Sequence, residues 1–473
     1  MPFERYLQIA RMTVETLTPL SIGTGTSVGL FDTALLRDAN GLPAIPGSSL
    51  AGVLRHLYRR HAACASCTSR VFGSQNRVSP LSVSWGWIHD SRDRPVRGLL
   101  LGKERERLTS DALLRRALEE SPLARDHVRL DARGVADGRG KFDRTSLPAG
   151  YRFTFELRWP TDDEQDTTLA ELASLICLPD FRLGGATRRG LGKIRPVKVE
   201  ICTLDLGEKK DREVLTDVDG KAQWQELEPK WSSRDTVTAT LELEPADGGW
   251  RFGQGTTWFG KRTVEGKPAD LLPLTEEIVV RNARGASLSR RLVLPGSGIK
   301  GALRHRTRFH ALCLASWFVD RNESDAPAWL RGEREAEEVE ELFGAAKDTE
   351  GEGGRRRETG HAGRLLVDDV YLETTELKSV VVPHNSIDRF TGGVRRGFLF
   401  AEEVVTGKEK LRLGVTVLEA SRVRPHVRRA LVLALEDLAS GRLPLGASAG
   451  RGHGFFEGKI TWSDGGAWAK EAG

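Results

Sequence analysis

The residues best equipped for chemistry fall into three kinds of group. His61, Cys64 and Cys67 lie three apart, and a neutral imidazole with two thiolates at that spacing suits a structural Zn²⁺; His56 is the nearest candidate for a fourth ligand. Two readings stay open there, a zinc site or reduced surface thiols in a loop; the second half keeps His310 and Cys313 but has Ser316 in place of Cys67, so zinc is expected in the first half only. Two glycine-rich loops carry arginine. Gly184, Gly185, Arg188, Arg189, Gly190 and Gly192 form one, and Gly446, Gly450, Arg451, Gly452 and Gly454 the other. Glycine lets backbone N–H groups approach a phosphate and arginine adds a bidentate charge-assisted pair. Two Pro-Gly-Ser turns open basic helices. Ser48, Ser49 and Arg55, then Lys300 and Arg304, offer a helix N-terminus, hydroxyls and cations to the same kind of ligand. Helix capping by Ser48 or Ser49 is the structural alternative.

These groups recur because the chain repeats. IPGSSLAGVLRHLYRRHAAC (45–64) matches LPGSGIKGALRHRTRFHALC (294–313) without a gap. Before it, SIGTGT (21–26) parallels RFGQGT (251–256), and LFDTALLRD (30–38) is set against LTEEIVVRN (274–282). After it, VFGS (71–74) parallels LFGA (342–345), HVRLD (127–131) parallels HNSID (384–388), and LGGATRRGLG (183–192) parallels LGASAGRGHG (445–454). The blocks keep one order in both halves, beyond what shared composition produces.

The elements that position these groups follow from periodicity. Leu50, Val53, Leu54, Leu57 and Tyr58 have helical spacing, with Arg55, His56 and Arg59 on the opposite face. A second helix precedes each glycine loop, through Leu169, Leu172, Ala173 and Ile176 and again through Val427, Ala430, Leu431, Ala434, Leu435 and Leu438. Met12 and Val14, and the alternation of Val237, Ala239, Leu241 and Leu243, predict an opening strand for each half. Strand, helix, strands, helix, glycine loop and strand make a split βαβ plan. The expected fold class is therefore α+β, with two tandem ferredoxin-like, RRM-like domains carrying inserted thumb and helical segments. The first is expected over 1–203 and the second over 236–473, joined by a polar linker or arm at 204–235.

Composition narrows the partners. The 473 residues suit two cores rather than one. Net charge is only +5, yet arginine clusters beside glycines and turns while acid gathers near 333–341 and 204–230, leaving basic surface for a polyanion. No apolar run approaches the ~20 residues of a membrane span, and the start MPFERYLQIA lacks a secretory apolar core, so the expected location is cytoplasmic, without a membrane partner. Five cysteines, with only Cys64 and Cys67 close, argue against a disulfide framework.

With the Gly-x-Gly near each start, the two Pro-Gly-Ser helices, the FG after each, HNSIDRFTGG (384–393) and the terminal glycine loops, the chain resembles the RAMP superfamily of CRISPR proteins, specifically the type III effector backbone subunit that coats guide RNA. The resemblance spans nearly the whole chain, apart from the linker and the inserts at 97–125 and 317–360. It implies guide crRNA, complementary target RNA and other type III effector subunits as partners. It also implies a thumb that kinks the guide, for which Arg389 and Phe390 in HNSIDRFTGG are candidates, Phe390 wedging against an unstacked base. For His384 a general-base role and a loop-anchor role both present themselves, the anchor being preferred.

The resemblance further implies metal-dependent endonucleolytic cleavage of target RNA, with Mg²⁺ or Mn²⁺, by an aspartate after the first strand. Asp32 stands at that place. Without the resemblance it reads as a turn-capping residue. Glu276, set opposite it in the repeat, keeps the charge but reaches one methylene further, and a ~1 Å error costs roughly 100-fold in rate, so its module is expected to cut weakly or not at all. A purely structural guide-binding subunit and a precursor-processing endoribonuclease are the competing readings. A double-stranded DNA reader is disfavoured, because nothing reads as a helix-turn-helix.

Overall fold

The computed structural model describes residues 4–25, 34–61, 65–130, 136–228, 235–246, 248–255, 269–315, 337–345, 360–373, 377–407 and 409–471. Asp32 and Cys64 lie outside them.

Two antiparallel sheets are built on one plan. In the first, strand Tyr6–Thr16 lies between Arg152–Thr161 and Ile194–Asp205, with Ser82–Val83 beyond the former. In the second, Thr236–Pro245 lies between Leu411–Leu418 and Phe456–Trp462, with Leu365–Val367 beyond the former. Setting the first strand between the last and the third is the ferredoxin-like order, and it answers the split βαβ expectation.

Alternation decides what each sheet buries. Ala10, Met12 and Val14 point into a core with Phe153 and Phe155, closed by Leu50, Leu54 and Leu57 of helix Gly47–His61 and by Leu169 and Leu172 of Thr168–Ser174. Val237, Ala239, Leu241 and Leu243 do the same in the second module, under Ile299 and Leu303 of Gly296–Leu314 and Val427, Leu431 and Leu435 of Pro425–Ala439. Ser48 and Ser49 sit inside the first helical turn, not at its cap. The Pro46 carbonyl accepts from the N–H groups of Ser49 and Leu50, at 3.0 and 3.2 Å.

The segment after 204 is more than a linker. Helices Lys209–Val214 and Val218–Lys221 and strand Gln225–Glu226 fold back on the other face of the first sheet. There Ile9, Cys202 and Leu204 are covered by Leu206, Val214, Val218, Ala222 and Trp224, and the Arg11 guanidinium lies 4.2 Å from the Trp224 ring centre. The apolar residues are too sparse in sequence to show a period, but they share one partner.

Two hairpins stand off the sheets. Leu123–Leu130 pairs with Ala136–Ser146, and Lys378–His384 with Phe400–Thr406. The first hairpin reaches the second module, where Arg125 is buried between Glu276 and Asp369.

Candidate nucleic-acid interface

The first glycine loop is held by backbone constraints. Ala186 is left-handed at φ 56°, Thr187–Arg189 makes a single 3₁₀ turn, and Gly190 at φ 105° ends it. Gly185 N–H donates to the Ser21 carbonyl at 2.7 Å, which draws the Gly-x-Gly segment against the loop. With the Pro-Gly-Ser helix they enclose an open groove of about 510 Å³, lined among others by Ser48, Ser49, Gly184, Gly185 and Arg188. His56 and Asp180 also face it. Arg55 and Arg189 are exposed. Arg188 is pushed down to about 10, first by burial and then by Arg182 and Arg60, against the pull of Asp180. Such crowding of cations suits an anion.

The second loop has the same build. Ser448 is left-handed at φ 65°, Ala449–Arg451 makes the 3₁₀ turn, and Gly452 ends it at φ 86°. Ala447 N–H donates to the Arg251 carbonyl at 2.8 Å, as Gly185 does to Ser21. Gly450 and Arg451 are exposed, and Arg304 is half-buried. Lys300 departs from expectation. Its side chain is 7% exposed and Nζ donates to the Leu365 carbonyl at 3.1 Å, so it supports the fold rather than offering a surface cation.

The hairpins match in register at their bases. His127 pairs across the strands with Phe142 and stacks on it at 5.0 Å; His384 pairs with Phe400 and stacks at 5.1 Å. Leu147 and Leu20 exchange backbone hydrogen bonds, as do Val405 and Trp250. Arg189 lies over Phe142 at 5.9 Å and Arg451 over Phe400 at 5.0 Å. In this register Arg144 of the first module corresponds to Glu402 of the second.

Glu402 is fully buried and is a hub the sequence did not reveal. Oε1 accepts from His384 Nε2 at 2.7 Å and lies 3.5 Å from both Arg451 Nη1 and His453 Nε2; Oε2 accepts from Ser448 Oγ at 2.9 Å and Arg251 Nε at 3.3 Å. Burial opposes its ionisation, but Ser448, His384 and Arg251 together hold the carboxyl below its ordinary value. His384, Glu402 and His453 could share a metal ion, though Arg251 and Arg451 already place positive charge there. The one sequence signal was acid in an apolar strand, LFAEEVVT. His384 is thus anchored at the hairpin base. Beyond it, Arg389 and Phe390 are exposed on a turn whose Asp388 Oδ1 accepts from the N–H groups of Phe390 and Thr391.

Glu276 is not an available carboxylate. It is 3% exposed and bonded to Arg125 and Tyr371. Its place in the repeat also changes. Leu36 N–H donates to the Ile22 carbonyl and its own carbonyl accepts from Ala44; Leu274 does likewise with Phe252 and Val293. Leu36 therefore corresponds to Leu274, which moves the repeat alignment by six residues and puts Asp38 opposite Glu276. Asp32 precedes Leu36 by four, and Asp270 precedes Leu274 by four. Asp270 is exposed, with Oδ2 accepting from Ala401 N–H at 2.8 Å. The zinc candidates are described only in part. His56 and His61 lie on helix Gly47–His61, and Cys67 on Ala65–Phe72 packs against the first core, while Cys64 lies outside the described residues.

The fold and loops define a duplicated α+β protein in which each module presents a glycine loop beside its first strand. The sequence pattern of the RAMP superfamily matches residues 13–195 and 285–457, both modules and most of the chain, so the protein belongs to that superfamily. No curated protein matches. Among solved structures, the chain is similar to one in the cryo-EM structure of the type III-B Cmr-beta bound to cognate target RNA, at 16% identity and a TM-score of 0.29, over 41% of this chain and 60% of that one. Among the described residues no helix is long and apolar enough to cross a membrane.

Proposed function

We propose that the chain is a guide-RNA-binding backbone subunit of a type III CRISPR effector complex in the cytoplasm, working with crRNA, complementary target RNA and other effector subunits. Superfamily membership supports this reading. The single observation that carries it is the groove in which Ser48, Ser49, Gly184, Gly185 and Arg188 meet, since hydroxyls, open backbone and a desolvated guanidinium suit an RNA backbone. The loop is built again in the second module, so two fused modules, 1–203 and 236–473, would grip successive steps of one guide.

Cleavage of the paired target is the finer part of the proposal. A Mg²⁺ or Mn²⁺ ion, when bound, would favour the attacking oxygen and neutralise charge on the phosphorane. Asp32 would hold it in the first module, and by the hydrogen-bond register Asp270, an exposed hard-oxygen donor, in the second. The burial of Glu276 against Arg125 argues against a metal-holding role for it. A structural Zn²⁺ on His61, Cys64 and Cys67 completes the proposal for the first module; His56 is not included, because the helix runs unbroken through His56 and His61 and five residues of helix set them about 140° apart.

The test is cleavage of a guide-complementary RNA by the assembled complex in Mg²⁺, with cut positions mapped. Asp32→Ala and Asp270→Ala should each abolish a different cut, while Glu276→Gln leaves both. Unchanged cutting in both aspartate variants would make the chain a scaffold.

A further inference from the structure

The matched hairpins differ at one position in a way that changes what each module can hold. In the first, Arg144 Nη1 lies 3.5 Å from Ser21 Oγ, and a Cβ added to Gly185 would sit 2.9 Å from the same nitrogen. His127 Nε2 and Arg144 Nε are buried without a hydrogen-bond partner. Arg144 makes no ion pair among the described residues. Asp126, the acid next to His127, is exposed and lies 3.5 Å from Lys141. Guanidiniums of Arg144 and Arg189 and an imidazole thus converge at the hairpin base without a carboxylate among them. In the second module the corresponding His384 and Arg451, with Arg251 and Ser448, converge on the Glu402 carboxylate.

An arginine fork receives carboxylate and phosphate alike. We infer that the cluster of His127, Arg144 and Arg189 is a binding site for a phosphate of single-stranded RNA, and that Glu402, which stands at the position of Arg144 in the second module, puts an anion where the first module has a cation and so satisfies His384 and Arg451 from within the chain. This rests on the RNA-binding reading for the source of the phosphate, but not for the site. Electrostatics agree. Burial and then the guanidiniums of Arg125, Arg144 and Arg189 push His127 down to about 4, and burial with Arg189 lowers Arg144, so an arriving anion would relieve both. Neutral His127 then has an N–H to donate, and the ring is held for it by the Phe142 stack. The modules are accordingly unequal: one grips a phosphate at its hairpin base, and the other is closed there by its own side chain.

Two measurements on the full chain test this. With inorganic phosphate as probe, histidine-labelled NMR should show the His127 resonance shifting while His384 stays, and Arg144→Ala should abolish the shift. For an RNA oligonucleotide, Arg144→Ala should flatten the dependence of log K on log salt by about 0.7, the contribution of one single-strand phosphate contact. Glu402→Gln, which keeps the shape but removes the charge and one of the two acceptor oxygens, should steepen it by about the same amount. His127 indifferent to phosphate, with RNA still bound and its slope unaltered in Arg144→Ala, would overturn the site and spare the RNA reading. A phosphate shift at His127 in a chain that binds no RNA would keep the site and overturn that reading.

Discussion

Arg125, on the hairpin of the first module, donates from Nε to Glu276 Oε1 at 2.5 Å and from Nη2 to Glu276 Oε2 at 2.7 Å, across 151 residues of sequence. Its third nitrogen reaches Asp369 Oδ2 at 2.6 Å, and Tyr371 OH donates to Glu276. Nearby, Arg182 and Lys193 of the first module hold Asp368 of the second at 2.5 and 2.8 Å. The modules are joined through these charges, buried at Arg125 and Glu276 and partly exposed at Lys193 and Asp368, as well as through the chain.

Removing Arg125 should therefore be costly. Arg125→Ala strands two buried carboxylates, and breaking a buried pair from one side costs about 3–5 kcal/mol. Urea denaturation should show a loss of that size, with Glu276→Gln losing less because it keeps its shape and remains neutral. A loss under about 1 kcal/mol in Arg125→Ala would remove the junction from the stability of the protein.

Lys300 predicts a pH dependence. Its amine is pushed down to about 7 from 10.5, first by burial and then by Arg188, Arg189 and Arg304. Between these values the unfolded chain binds the proton and the folded one does not. The group's contribution to stability therefore rises with pH over that window and is at its worst below pH 7. Lys300→Met removes the rise, so its stability relative to the parent should fall steadily from pH 7 to pH 10. A difference independent of pH would contradict the burial of the amine.

The glycine loops should tolerate substitution unequally. Gly184 at φ +81° and Gly446 at φ +92° each place a built Cβ 2.4 Å from a carbonyl oxygen, that of Ser21 and of Arg251. Gly184→Ala and Gly446→Ala should each lose about 1–3 kcal/mol or more from strain at a left-handed position, read from denaturation midpoints. Gly450, whose Cβ would meet nothing within 4 Å, is the tolerant control. Equal midpoints for Gly446→Ala and Gly450→Ala would refute the tight approach.

Phe390 is 88% exposed, with the Arg389 guanidinium 5.5 Å from its ring centre. Exposure means that Phe390→Ala should leave the thermal midpoint unchanged. If the ring stacks on a base, RNA affinity should drop by about 1–3 kcal/mol, roughly 5- to 150-fold. Unchanged affinity would assign the ring to a protein partner instead.

The repeat, the helix after each Pro-Gly-Ser turn and the strand-helix order were legible in the sequence, because each rests on local constraints: helical or alternating apolar spacing, and glycines at positions that need an open backbone. Ser48, Ser49, Gly184, Gly185 and Arg188 were identified for the same reason, and the fold then brought them to one groove. What lay beyond reach was pairing at a distance. The segments between the Gly-x-Gly and the next strand differ in length between the halves, so residue types alone set Glu276 against Asp32; only the hydrogen bonds of Leu36 and Leu274 align those two leucines and put Asp38 opposite Glu276. Lys300 looked like a phosphate cation because a helical period cannot show that the Leu365 carbonyl waits above it. Arg144 and Glu402 sit in strands of unlike sequence, and only the cross-strand partners His127–Phe142 and His384–Phe400 reveal that they occupy one position with opposite charge. Local backbone preference is written in neighbouring residues, whereas the company a charge keeps is decided by chain that folding brings in from elsewhere, 65 residues away for Lys300 and Leu365 and 151 for Arg125 and Glu276.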